Sequence, residues 1–101
     1  MNNTIERLAE AVGYFLADAE ASACTSHQEA RQHVSHAYDE ARQRRTAGDS
    51  LGRATLHGRA QRWSERAEQL SRYRSPNYLP VSMRETFRAL IDNAPAQLVA
   101  V

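Results

Sequence analysis

Apolar residues recur every three or four positions through most of this chain, the period of an amphipathic α-helix, and no stretch alternates as a half-buried strand does. The first run takes in Ile5, Leu8, Ala9, Val12, Phe15, Leu16, Ala19 and Ala23, which share one helical face expected to be the core side. Asn3 with Glu6 three residues later has the form of a capping box at its start. Gly13 lies inside the run and weakens it slightly.

A second run carries Ala30, Val34, Ala37, Tyr38 and Ala41, opened by Ser26 with Glu29 and closed by Gly48. Glycine at that place suits a left-handed helix end. A third, opened by Asp49 or Ser50, places Leu56, Ala60, Trp63, Ala67 and Leu70 in steps of four and three, a helix seam. Ser75-Pro76-Asn77 should stop it. The last run begins at Ser82 with Glu85 and carries Met83, Phe87, Leu90, Ile91 and Ala94. The four helices are expected over about 4–24, 26–47, 50–74 and 82–94.

Short turns after the first two helices predict antiparallel neighbours. The fold class is therefore all-α, a single-domain antiparallel bundle of three long helices and a shorter fourth. The second helix offers mostly alanine to the core, which buries little area. With the apolar Leu98–Val101 end, this suggests pairing of two copies into a homodimer.

Composition narrows the class without naming a function. No apolar run approaches the ~20 residues needed to span a bilayer. Glu6 and Glu10 sit where a secretion signal avoids acids. Lone Cys24 cannot form an internal disulfide and suits a reducing, cytoplasmic setting. The formal net charge is +1 and every basic residue is arginine. Residues 1–24 hold one Arg against four acids, and residues 50–75 hold six Arg against two acids, so the first and third helices attract.

Four groups of residues have chemistry to consider. Arg59, Arg62 and Arg66 flank the third helix's seam, and Arg44, Arg45 and Arg53, with Arg42, bracket the turn at Gly48. Guanidinium groups in such clusters suit phosphate or a protein partner. The interspersed acids Asp39, Glu40, Asp49 and Glu68 disfavour nucleic acid. Tyr73 and Tyr78 mark an aromatic loop fit for partner contact. Glu29, His33, His36 and Glu40 form a polar stripe whose residue types are metal ligands, but one helix presents only two ligands to one ion. The stripe reads better as a solvated face. Cys24 and His27 are at best half a zinc site, and Cys24 reads as an inert thiol.

No catalytic residue, cofactor or resident metal is expected. The leading expectation is a non-enzymatic helical module that binds another protein, as a small regulator, adaptor or inhibitor of the phage or plasmid type does. A nucleic-acid-associated protein using the Arg clusters is the first alternative, and a metal-binding bundle the second.

Overall fold

A computed structural model of the chain describes residues 3–71 and 81–94. Four helices form: α1 (Asn3–Ala23), α2 (His27–Thr46), α3 (Ser50–Leu70) and α4 (Arg84–Asp92). They make an all-α bundle of three long helices and a short one, with no strand among the described residues.

The helix ends follow local chemistry. The Ser26 Oγ accepts from the Glu29 N–H at 3.2 Å and opens α2. Gly48, at φ 78°, closes it. There the Gly48 N–H donates to the Arg45 carbonyl at 3.1 Å and the Asp49 N–H to the Arg44 carbonyl at 2.9 Å, the paired bonds of a Schellman end. Asp49 then caps α3, its Oδ1 accepting from the Gly52 N–H at 2.9 Å.

Helix α3 is the centre of the molecule: α1 and α2 pack along it on different sides, and α4 packs on α1. α2 and α3 are antiparallel, with His33 beside Trp63 at one end and Tyr38 beside His57 further along. α1 and α3 run parallel, since Gly13 lies against Thr55, Asp18 against Arg62 and Cys24 against Arg66. This up-down-up path agrees with antiparallel succession, and it leaves the two parallel helices as close neighbours. α4 runs back along α1, with Arg84 on Asp18 and Arg88 over Phe15.

The α1–α3 contact is backbone-close. A Cβ at Gly58 would fall inside the Glu10 carbonyl, and one at Gly13 inside the Thr55 carbonyl. The helical glycine that weakened the sequence reading is what lets the helices approach.

Two apolar clusters lie beside this contact. Trp63 and Ala67 of α3 pack with Ala17 and Ala21 of α1, Cys24 just after it and Ala30 of α2. Phe87 of α4 packs with Ala11 and Tyr14. Trp63, at the centre of the expected seam, is buried at 2% exposure. Its Nε1–H meets no acceptor, so the residue contributes through ring packing.

Three expectations are corrected. First, α1 is turned about its axis. Its buried residues are Ala11, Tyr14, Ala17 and Ala21, whereas Val12 is 41% and Leu16 70% exposed, and Ala19 and Ala23 are exposed too. The cause is that the alanine side, with Gly13, admits α3 closely, and Tyr14 and Asp18 find partners there. Periodicity registers apolar area and not partners.

Second, α3 ends at Leu70, with Ser71 extended, rather than near residue 74. Ser71, at φ −70° and ψ 132°, has left the helical conformation. Third, Ser82 is not the expected cap of a helix starting there. Met83 occupies the cap position without a side-chain bond, while Ser82, one residue before it, donates its hydroxyl to Glu65 at 3.3 Å and accepts from the Arg84 N–H at 3.2 Å. Residues 72–80 and 95–101, including Tyr73, Tyr78 and the apolar Leu98–Val101, lie outside the described residues, as does the side chain of Asn3.

Candidate functional site

Three surfaces or clusters concentrate the chemistry: a buried polar knot, an outward apolar seam and a basic groove. The knot joins α1, α3 and α4. Glu65, 7% exposed, accepts from the Tyr14 hydroxyl at 2.6 Å, the Met83 N–H at 2.9 Å, Gln61 Nε2 at 3.1 Å and the Ser82 hydroxyl at 3.3 Å. Four neutral donors satisfy this carboxylate where water is excluded. Burial, then the bond to Glu65, pushes the Tyr14 phenol above its ordinary pKa.

Beside it, Asp18 accepts from Arg62 Nε at 2.7 Å and from Arg84 Nη2 at 2.5 Å. The Arg84 bond, helped by Arg62, holds the Asp18 carboxyl below its usual pKa, although burial opposes this. Arg62 Nη2 also donates to the Ser22 hydroxyl at 3.0 Å. The knot holds the three helices in register, and each polar group in it is engaged by another part of the fold.

The first arginine cluster is drawn into this framework. Arg62 is 5% exposed and bound to Asp18 and Ser22. Arg66 forks onto the Cys24 carbonyl at 2.9 and 2.7 Å, closing the end of α1. Arg59 meets Glu20 at 3.5 Å. The attraction read between the acidic first and basic third helices takes the form of these contacts.

The polar stripe of α2 is divided by the fold. Glu29, His36 and Glu40 are exposed. His33 is half-buried and stacks on Trp63, ring centres 3.9 Å apart and planes 6° apart, so it belongs to the packing rather than to a solvated face. Among the described residues no three His, Cys, Asp or Glu side chains gather as metal ligands would. Cys24 is buried and donates to the Ser26 carbonyl at 3.3 Å. No described helix is long and apolar enough to cross a membrane.

The seam is the surface created by the turning of α1. Ile5, Ala9, Val12, Leu16, Ala19 and Ala23 are spaced 4, 3, 4, 3, 4 along the helix. That is the alternation of a coiled-coil seam. Phe15, at its edge, is covered by α4 and by the Arg88 guanidinium, 4.4 Å from the ring centre. Leu16 and Val12 at its middle face outward.

The groove lies on the α2–α3 hairpin. Tyr38, Ala41, Arg42, Arg45, Arg53 and His57 line a space of about 230 Å³. It takes in Arg45 and Arg53 of the second arginine cluster. Arg44 instead turns to Asp49 at 3.9 Å. Arg53 and His57 also border a neighbouring groove, which contains Glu6 and Glu10.

The sequence reading passed over Tyr14, Asp18, Glu65 and Arg84. Two signals pointed to them: paired helical glycines with no turn to make, and polar Arg62, Glu65 and Arg66 at i, i+3 and i+4 along the seam of α3.

The chain matches no protein-family model, no curated protein and no solved structure.

Proposed function

We propose that this chain is a non-enzymatic protein-binding module whose outward seam on α1 docks an amphipathic helix of another protein. The observation that carries this reading is the exposure of Val12 and Leu16 at the centre of a six-position seam, on the side of α1 away from its core contacts. Such a seam matches the knob spacing of a facing helix, so the occupant is helical. From Ile5 to Ala23 it runs ~27 Å at 1.5 Å per residue. An apolar stripe of that length on a surface marks a place of association. The role is that of a small regulator, adaptor or inhibitor. A second copy of the chain seated on this seam would be a homodimer instead of a complex with another protein.

The test begins with a photo-crosslinking residue at position 16, and another at exposed Gln43 as control, in cells that make the protein. A partner trapped from position 16 alone is purified and its affinity measured with the unaltered chain and with Leu16→Arg. The reading expects a loss of about tenfold or more at unchanged melting temperature, the effect of a charge placed in an interface centre. Equal affinity of the variant, or trapping of a second copy only, with light scattering showing a dimer, would overturn it.

A further inference from the structure

The groove on the α2–α3 hairpin has a basic and aromatic wall. Three guanidiniums, an imidazole and a phenol face it, and no carboxylate lines it. Of the nearby acids, Asp39 pairs with Arg42 from the solvent side, Asp49 caps α3 and approaches Arg44, and Glu6 and Glu10 line the neighbouring groove, where Glu10 pairs with Arg7. Arg53 is half-buried on the groove's wall, and its guanidinium makes no hydrogen bond or ion pair with any described residue. A guanidinium drawn partly out of water without a partner is held ready for an anion.

We infer that this groove binds a small phosphate-bearing ligand, gripped by Arg53 and Arg45 with Arg42 at the rim. Guanidinium forks match the oxygen spacing of a phosphate and bind it through paired charge-assisted hydrogen bonds. The space of about 230 Å³ is below the usual ~300–1,000 Å³ of drug-sized pockets, so it takes the phosphate and a compact neighbour rather than a large cofactor. Tyr38, 44% exposed and with its ring centre 5.9 Å from that of His57, offers the remainder of the ligand an aromatic surface. This site is on α2 and α3, away from the seam of α1, and does not depend on it.

The experiment is a titration of the full chain, followed by amide and arginine-side-chain NMR, with inorganic phosphate, pyrophosphate and adenosine monophosphate as probes, and with a short single-stranded DNA in parallel. Saturable shifts at Ala41, Arg53 and His57 are expected with the phosphate probes. Arg53→Gln weakens them about tenfold or more, the loss of a charged hydrogen-bonding partner. Arg31→Gln, which removes the same charge from an exposed site of α2 outside the groove, leaves them unchanged. Thermal melts confirm that both variants are folded. Shifts that never saturate, or equal weakening by Arg31→Gln, would reduce the groove to diffuse positive charge and overturn the inference. Binding of the DNA strand alone would overturn it in favour of a nucleic-acid surface.

Discussion

The Tyr14 hydroxyl reaches across from α1 to donate to Glu65 of α3 at 2.6 Å, and the same carboxylate accepts the Met83 N–H at the start of α4. This acidic side chain thereby joins the Ser82 hydroxyl, which accepts from the Arg84 N–H, in holding the start of the fourth helix, and it ties that helix to the other two.

Removing that carboxylate should release α4. Glu65→Ala leaves the Tyr14 hydroxyl and Met83 N–H buried without acceptors, at about 1–3 kcal/mol each, so a total loss of roughly 3 kcal/mol is expected. Tyr14→Phe leaves Glu65 three donors and should cost only about 1–2 kcal/mol. Urea unfolding gives both values. Amide exchange in Arg84–Asp92 should accelerate far more in Glu65→Ala. Equal effects of the two variants would show that Glu65 does not organise α4.

The α1–α3 spacing rests on Gly58 and Gly13. In Gly58→Ala the new methyl meets the Glu10 carbonyl and Tyr14 N, backbone atoms that cannot rotate aside. The helices have to separate, and the cost should reach about 3 kcal/mol, the upper part of the range for overpacking. Alanine's better helix propensity, worth ~1 kcal/mol, acts the other way and is too small to compensate. Gly13→Ala should behave alike, because Thr55 is also met through its backbone. Thermal melts that show either variant stabilised would contradict the close approach.

Trp63→Ala should cost ~3–5 kcal/mol, the loss of a large buried ring. His33→Ala should cost less, about 0.5–1.5 kcal/mol, through the lost stacking. His36→Ala, at an exposed position, should change little. A double-mutant cycle of His33 with Trp63 measures the coupling, and a coupling of zero would mean the rings do not stack in solution.

The pH dependence has a definite sign at each end. Asp18 has a lowered pKa when folded, so its stabilisation is complete above the unfolded value of about 3.9 and fades as pH falls through the folded value. Tyr14 has a raised pKa, so its contribution is complete below about pH 10 and fades as pH rises beyond that. Denaturant unfolding across pH should show both slopes. Asp18→Asn should flatten the acid one and Tyr14→Phe the alkaline one. Unaltered slopes in those variants would assign the titration to other groups.

Much of the architecture is written locally. The Ser26, Gly48 and Asp49 signals define helix ends because their bonds close within a few residues. Ala30, Ala37 and Ala41 mark the inner face of α2, and Trp63 its anchor on α3, because only one side of each repeat is apolar enough to bury. The charge imbalance between residues 1–24 and 50–75 foretold that α1 and α3 attract.

What faces outward on α1 was decided by tertiary structure alone. The larger apolar stripe, with Val12 and Leu16, lost to the side bearing Ala11, Tyr14, Ala17 and Asp18. That side admits the α3 backbone at Gly58 and supplies partners for Glu65 and Arg62, which are far away in sequence. Arg62 became a buried strut and Arg53 a half-buried cation unpaired among the described residues for the same reason. Whether a charged side chain is engaged depends on what another helix brings within hydrogen-bond distance, and a sequence pattern read one helix at a time contains no such distances.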